Sequence, residues 1–420
     1  MNIWCISKYA GIPEFGTGAR LFYLTKEFIK LGHAAKLFTS DSNHLVKFPE
    51  TKRIYNHETI EGVSVSWIKT KKYSKTASVE RVLSWLDFEA KLFRMDIKTI
   101  EKPDVVIVSS LSLFSIFFGL YLKRKFSSFL VFEVRDIWPL TMTEEGGFSR
   151  LHPLVLMLGF IETLGYKKSD LIVGTMPRLD LHVRNILGYD RPFYCSPLGF
   201  DPSKYNDTKQ LSSEFDEFFP EDKVVIGYAG SMGITNSLGA FIDAIGLLKD
   251  NDKIHFMLVG GGDFKSKYEE QLKHCNNVTF LPKIGQEQVS VFLSKCDILY
   301  LSTQDSEIWN YGQSMNKVVE YMLAGKPIIA SYTGYPSMID EANCGEFVSA
   351  ALSSEVKEVL LKYANLGRSE LEKIGQRGKT WIQARRAYSR LAKEYLSKIE
   401  EIMGLQKTIT DGVMKKIPKN

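Results

Sequence analysis

The chain has 420 residues, 44% hydrophobic and 25% charged, with a formal net charge of +5. That is a globular composition, long enough for two domains of ordinary size, with no short-period repeat or low-complexity tract. Five cysteines (Cys5, Cys195, Cys275, Cys296, Cys344) lie far apart without metal-ligand spacing, which argues against a disulfide framework or zinc site and for a reducing compartment.

Asn2 to Ser7 reads as a first strand, entered directly with no basic segment and apolar signal core before it. Gly11 to Gly18 is a glycine-containing loop. Arg20 to Leu31 is an amphipathic helix closed by Gly32, and Ala35 to Thr39 is the next strand. Ile54 to Asn56 and Val63 to Ile68 suit a hairpin, followed by a long helix over Val79 to Glu101. Val105 to Ser109, Phe129 to Glu133 and Leu171 to Gly174 are short apolar runs of the kind buried in a parallel sheet. The longest apolar run, Leu111 to Leu122, holds Ser112, Ser115 and Gly119 and is too short to span a bilayer. Ser196 to Lys223, with Pro197, Pro202 and Pro220, reads as the joint.

A second set of strands is expected over Val224 to Ala229, Ile254 to Val259, Val278 to Leu281, Ile298 to Leu301 and Ile328 to Ala330. Tyr388 to Met403 is a helix long enough to pack back across the joint, and Leu405 to Asn420 a frayed, basic end. The expected fold is α/β: two doubly wound Rossmann-like domains, 1–200 and 201–385, with a cleft between them. A C-terminal segment, 386–420, returns to the first domain. In such sheets ligands bind beyond the carboxyl ends of the strands.

Basic residues crowd the first half: Lys71, Lys72, Lys75, Arg81, Lys91, Arg94 and Lys98, then Lys123-Arg124-Lys125. Such clusters meet phosphate, in membrane lipid or nucleic acid, or are solvated helix faces. Arg81 to Arg94 mixes Trp, Phe and Leu with basic residues, and Leu151 to Leu164 is strongly apolar; both suit a membrane surface or a core. The expectation is a cytoplasmic protein that touches a membrane without crossing it.

Five constellations fall at the carboxyl ends of the expected strands. Gly16-Thr17-Gly18-Ala-Arg20 opens a helix, where glycines let the backbone approach a ligand and free amides attract an anion. Leu21 stands where a dinucleotide fingerprint needs its third glycine, which counts against a nicotinamide site. Arg135-Asp136 follows a buried strand. Asp136 can bond sugar hydroxyls or stabilise positive charge at an anomeric carbon, and Arg135 can bind phosphate or pair with Asp136. Thr143 to Gly147 behind them is a loop able to act as a lid.

Gly227 to Leu238 is the glycine turn of the second domain, where Gly230, Ser231, Asn236 and Ser237 can face a diphosphate. Lys283 and Ile284 sit at a strand end suited to a nucleobase. Ser314 to Ala330 reads as a helix running into a buried strand. Lys317 lies in its first turn, where the dipole disfavours a cation unless an anion is bound, and Glu320 shares its face. Asp250-Asn-Asp252, an acidic triplet, falls at the amino end of a strand and reads as a turn, and the histidines are scattered; no metal is expected.

Together these residues resemble the retaining glycosyltransferases of family 4, which have the GT-B fold. The resemblance rests on Pro13 to Arg20, Arg135-Asp-Ile-Trp-Pro139, Tyr228-Ala-Gly230 with Gly233, Leu258 to Gly262, and Asn316-Lys317 before Glu320 to Pro327. The Arg-Asp-Ile-Trp-Pro element is most similar to bacterial N-acetyl-L-fucosamine transferases, which extend lipid-linked O-antigen or capsule units. The resemblance implies a nucleotide-sugar donor with uracil as base and no cofactor or metal. It also implies a polyprenyl-diphosphate-linked saccharide acceptor, peripheral contact with an anionic membrane surface, and no nucleic-acid partner.

Glu320 would then bind the ribose hydroxyls. Lys317, Ser231 and the amides near Ser314 and Asn316 would hold the diphosphate. Gly16 to Gly18 would face the sugar, with Asp136 near it. Two departures stand out. The first Glu of the family's paired glutamates falls at Gly312, and the cations of its glycine turn are replaced by Ser231, Asn236 and Ser237. Lys317 is the natural substitute. A sugar-nucleotide 2-epimerase and a non-catalytic, membrane-docked partner of a transferase are the alternative readings.

Overall fold

A computed structural model describes residues 1–16, 18–42, 51–73, 78–110, 112–205, 211, 215, 217–348 and 352–414, with the side chains of 205 and 405–414 left aside. Thr17, Lys75 and residues 415–420 of the basic tail lie outside the described residues. The chain divides into two compact units, Met1–Gly199 with Tyr388–Asn420, and Phe200–Ala387.

The first unit is built on eight strands: β1 (Asn2–Ile6), β2 (Ala34–Ser40), β3 (Tyr55–Ile60), β4 (Val63–Ile68), β5 (Val105–Ser109), β6 (Phe129–Val134), β7 (Leu171–Gly174) and β8 (Phe193–Cys195). Their spatial order is β3-β4-β2-β1-β5-β6-β7-β8. β1 is buried along its whole length between β2 and β5, with Ile3 opposite both Ala35 and Val105. All pairings are parallel except the β3–β4 hairpin, whose two-residue turn places Glu61 and Gly62 at φ 46° and 82°. The order reverses direction at β1, which puts the ligand-binding crevice of such a sheet beyond the carboxyl ends of β1 and β5.

The second unit carries β9 (Val224–Ala229), β10 (Ile254–Val259), β11 (Val278–Leu281), β12 (Ile298–Ser302), β13 (Ile328–Ser331) and β14 (Gly345–Val348), all parallel, in the order β11-β10-β9-β12-β13-β14. Its reversal falls at β9, next to β12. Phe241 stacks on Tyr300 at 3.8 Å in the core.

The C-terminal helix, Tyr388–Met414, belongs to the first unit. Leu391, Ala392, Tyr395, Leu396, Ile399 and Ile402 recur at helical spacing and are buried in the same core as Phe22 and Phe28 of helix Arg20–Lys30. Tyr388 stacks on Tyr23 at 5.1 Å, and Tyr395 meets Phe28 edge-on at 5.9 Å.

Several expected elements change. The long helix stops at Arg94 rather than Glu101, because Asp96 takes the Lys98 amide and starts a separate turn at Ile97–Thr99. Thr143 and Glu144 belong to a short helix, Leu140–Glu144, and the amides of Glu145 and Gly146 both bond the Thr141 carbonyl, so the expected loop is a fixed turn. The C-terminal helix continues to Met414, past Met403. β8 and β14 were not expected; each is only three or four residues long, without two-residue alternation.

Arg20 is turned inward. It pairs with Glu133 at 3.1 Å, both side chains almost wholly buried, and bonds the Ser196 carbonyl at 2.8 Å, Ser196 Oγ at 3.1 Å and the Pro197 carbonyl at 3.3 Å. The network ties the helix after β1 to β6 and to the chain leaving β8, so Arg20 acts in the sheet rather than on a ligand at the glycine loop. Arg20→Ala leaves Glu133 charged and unpaired, and should destabilise the first unit by about 3–5 kcal/mol in urea unfolding. Arg20→Met with Glu133→Leu should recover most of that loss; a single substitution with an unchanged midpoint would refute the assignment.

Candidate functional site

β9 ends at Ala229, and the chain turns at Gly230 with φ 155°. Helix Asn316–Ala324 packs against this turn. Tyr321 hooks the two together: its hydroxyl accepts the Ala229 amide at 3.0 Å and donates to the Ala229 carbonyl at 3.3 Å. Val318, Val319, Met322 and Leu323 bury the rest of the helix, and Gly325, at φ 69°, ends it before β13.

The helix starts without a side-chain cap, since Met315 occupies the N-cap. Its first amides are therefore available to an anion. Lys317, half-buried in that first turn, sends Nζ to Asn236 Oδ1 at 2.8 Å and Tyr228 Oη at 3.2 Å, 4.7 Å above the Tyr228 ring. Both hydrogen-bond partners are neutral, and among the described residues Lys317 forms no salt bridge. A Cβ on Gly230 would lie 2.8 Å from Lys317 Nζ and 3.0 Å from Cε. The glycine is what gives the ammonium its place.

Glu320, half-buried one turn on, accepts from Gln286 Nε2 at 2.9 Å. Burial pushes its carboxyl up to about 7, against the pull of Lys317 and Gln286. Burial brings Lys317 down to about 8, with Glu320 opposing. Asn316 is exposed at the helix start and Ser314 half-buried before it. Ser231 is exposed, and its carbonyl accepts the Tyr228 hydroxyl at 2.6 Å. Lys283 is exposed and Ile284 half-buried in the turn after β11. Lys265 Nζ fastens that strand end to the glycine loop, on the carbonyls of Leu281 at 2.7 Å and Gly260 at 3.3 Å.

In the first unit, Arg135 and Asp136 are half-buried beyond β6. Ser110 Oγ accepts the Arg135 amide at 3.0 Å and donates to the Asp136 carbonyl at 3.4 Å; Thr175 Oγ1 holds the Arg135 carbonyl at 3.0 Å. The backbone is fixed while, among the described residues, Arg135 and Asp136 form no ion pair with each other. Burial raises the Asp136 carboxyl, opposed by Arg135 and Arg81, and Glu145 is raised by burial and by the charge of Asp136. Gly16 and Gly18 sit at φ 129° and 88°, the Gly18 carbonyl accepting the Gly11 amide at 3.2 Å.

The structure brings Gly230, Asn236 and Lys317 together in the second unit, with Glu320 one turn further along the same helix. Sequence reasoning missed Gln286, Tyr228, Tyr321 and Gln313. Gln313, beside Ser314, is buried with neither amide atom hydrogen-bonded among the described residues. Tyr228 and Tyr321 flank recognised motif residues and were within reach of the sequence; the Gln286–Glu320 pairing spans a separation of 34 and has no sequence signal. Asp250 to Asp252 is a turn, with Asn251 Oδ1 accepting the Lys253 amide at 3.0 Å. Among the described residues no three His, Cys, Asp or Glu side chains converge as metal ligands, and no helix is long and apolar enough to cross a membrane.

Residues 223–363, about a third of the chain, match the family model for glycosyl transferases group 1. No curated protein sequence matches the chain. Among solved structures, a sucrose-phosphate synthase from Thermosynechococcus elongatus has a TM-score of 0.71 at 13% identity, covering 96% of this chain and 99% of that one. Anabaena HepE in complex with UDP and glucose has a TM-score of 0.63 at 14% identity, with 96% and 100% covered. WaaG, a glycosyltransferase involved in lipopolysaccharide biosynthesis, has 0.63 at 16% identity, with 94% and 98% covered. At these identities the likeness establishes the fold, GT-B.

The two shifts set opposite slopes. Glu320 titrates above its ordinary 4.5, so its contribution to stability falls as pH rises from there through about 7. Lys317 titrates below its ordinary 10.5, so its contribution falls as pH drops from there through about 8. The ligand-free unit carries both penalties between them. A bound diphosphate favours the charged ammonium, so UDP binding at about pH 8.5 should take up protons. Calorimetry in buffers of different ionisation enthalpy measures this, and Lys317→Met should abolish it without lowering the ligand-free melting temperature. Proton release, or none, would contradict the anion assignment.

Proposed function

We propose that this chain is a metal-independent, retaining glycosyltransferase of family 4. It transfers a sugar, such as an N-acetylated deoxyhexosamine, from a uridine-diphosphate donor to a lipid-linked saccharide during bacterial O-antigen, capsule or exopolysaccharide synthesis. The observation that carries this reading is Lys317, a half-buried cation held on neutral partners at an uncapped helix start. The group 1 match over the same region and the fold both support it.

In this reading Lys317, the amides after Ser314 and the Ser231–Asn236 turn take the diphosphate. Glu320, positioned by Gln286, takes the ribose hydroxyls, and Ile284 and Lys283 meet the base. As the bond from the anomeric carbon to the diphosphate breaks, the acceptor oxygen bonds that carbon on the same face, and the departing phosphate oxygen takes the acceptor's proton. The ammonium and the helix start stabilise the charge that develops on the leaving group. Asp136 and Arg135 are assigned to the transferred sugar and its acceptor, and Gly16 and Gly18 to close backbone approach.

A membrane-held acceptor is supported by three neighbouring helices of the first unit, Val79–Arg94, Ser115–Phe126 and Pro153–Lys168. Leu83, Leu86, Phe93, Phe117, Leu156 and Phe160 are exposed on them, Phe160 by 66%. Phe93 against Tyr121 and Lys123 on the Lys168 carbonyl make the helices continuous. Arg94, Arg124, Lys125, Lys167 and Lys168 are exposed at their carboxyl ends. Apolar side chains beside cations suit an anionic lipid surface.

A thermal-shift screen of nucleoside diphosphates tests the donor reading: UDP should raise the melting temperature, and Lys317→Ala should remove the shift and lower kcat/KM by about two to three orders of magnitude. Normal kinetics in that variant would sink it. Replacing Leu156 and Phe160 with Asp should cut sedimentation with phosphatidylglycerol vesicles by about tenfold while UDP stabilisation persists.

A further inference from the structure

The base end of the proposed donor site is built where a ladder of the second sheet stops. β10 and β11 run parallel in register as far as Val259 opposite Leu281. Pro282 follows, and a proline has no N–H with which to bond the neighbouring chain. Lys265 supplies donors at that point. Its Nζ bonds the Leu281 carbonyl at 2.7 Å and the Gly260 carbonyl at 3.3 Å, which joins the two strand ends just past the last rung. Its charge is met within the unit: Glu269, one turn on in helix Lys265–Gln271, comes within 3.7 Å. The half-buried ammonium is a strap between strands, with its donors and its charge both engaged.

The turn that leaves β11 is held at its other end too. The Gly285 amide donates to Gln288 Oε1 at 3.0 Å, and the Gly285 carbonyl accepts the Gln288 amide at 3.0 Å. This pair fixes the entry to helix Gln286–Lys295. Pro282, Lys283 and Ile284 remain between the two fastenings. Among the described residues the amides of Lys283 and Ile284 make no hydrogen bond, so they are open to a ligand. Gln286, the first residue of that helix, then reaches Glu320 at 2.9 Å. The base turn and the carboxylate assigned to the ribose are thereby joined by one short segment.

The other side of the strap is tied to the diphosphate turn. The Gly230 amide bonds the Val259 carbonyl at 3.0 Å, the Met232 amide bonds the Gly261 carbonyl at 2.8 Å, and the Met232 carbonyl accepts the Phe264 amide at 3.0 Å. Lys265, next in the chain, carries this frame across to β11. A base edge is read by the order of donors and acceptors it meets, and a mismatch leaves polar groups unpaired. A loose turn is free to rotate its peptide groups and suit another base. Fastening it from both ends removes that freedom.

We propose that Lys265 is the positioning residue for base selection: by fastening Leu281 to Gly260 it fixes the peptide groups of Lys283 and Ile284 in the order of donor and acceptor that one nucleobase matches. The proposal rests on the donor reading for its occupant, a uracil whose N3–H donates and whose O4 accepts. Cytosine carries an acceptor at N3 and donors at N4, so each peptide group would face a group of its own kind. Lys265 touches no reacting atom and acts through the turn.

Calorimetric titration of the full chain with UDP, CDP, ADP, GDP and inorganic pyrophosphate tests this. The unaltered chain should prefer UDP over CDP by at least about tenfold, equivalent to about 1.4 kcal/mol. Lys265→Met should bring that ratio close to one, with a smaller loss for pyrophosphate than for UDP. Lys265→Arg, which restores donors, should recover part of the ratio. A general loosening weakens every ligand together, so the ratio is the readout that a merely structural role does not move. Hydrogen exchange on the unaltered chain needs no substitution: an amide of Lys283 or Ile284 should gain protection with the preferred nucleotide and not with pyrophosphate. An unchanged ratio in folded Lys265→Met overturns the proposal, as does the absence of that protection. A preference for another base that collapses in Lys265→Met upholds the positioning role and overturns uracil. Equal affinity for all four nucleotides overturns the positioning role alone, and failure of all four to bind overturns it together with the donor reading.

Discussion

Lys317 can hold its position only because residue 230 has no side chain. That constraint orders the second unit. β9 must end in a glycine with positive φ, helix Asn316–Ala324 must lie close enough for Tyr321 to bond Ala229, and the neighbouring glycine loop must clear the same turn. Gly260 meets this last demand, since a Cβ there would lie 1.9 Å from the Gly230 carbonyl oxygen. Close backbone packing and a desolvated ammonium are consequences of one geometric choice.

That choice costs stability in the empty protein. An ammonium with neutral partners and a carboxyl shielded from water both resist their charged forms. The two groups offset part of each other's cost, and an anionic ligand adds further countercharge for the ammonium. Gln286 limits the cost at Glu320 by donating to it, which also fixes the carboxylate's direction. The arrangement is preorganised for an anion: its dipoles and charge are in place before the ligand arrives, and little reorganisation remains to be done.

The sequence displayed the parts of this design that depend on local order. Strands with continuous apolar runs, such as Val224 to Ala229, declare burial on both faces, and their sheet partners follow from alternation with helices. Lys317 and Glu320 were visible because they stand three positions apart in a helix and so share a face. Contacts made by tertiary folding were not visible. Nothing local says that Gln286 reaches Glu320, or that Arg20 reaches Glu133 and Ser196, separations of 113 and 176. The short edge strands escaped for another reason: Phe193–Cys195 and Gly345–Val348 take their definition from a neighbour's register rather than from their own pattern.

Three cations in first helical turns show how the same sequence signal acquires different meanings. Arg20 opens its helix, is almost fully buried, and has a carboxylate of its own in Glu133, so its charge is closed within the protein and serves the sheet. Arg81 is steadied by rings and a phenol, and its charge acts on the Asp136 carboxyl. Lys317 has an amide oxygen and a phenol as hydrogen-bond partners, with the Glu320 carboxyl one turn on. A helix dipole disfavours all three to a similar degree. What separates a structural cation from a binding cation is therefore whether the fold itself supplies the countercharge, and that is decided by residues far away in sequence. A cation at a helix start marks a question that only its tertiary partners answer; for Arg20 the partner is an ion-paired carboxylate, while the hydrogen-bond partners of Lys317 are neutral and leave room for a ligand's charge.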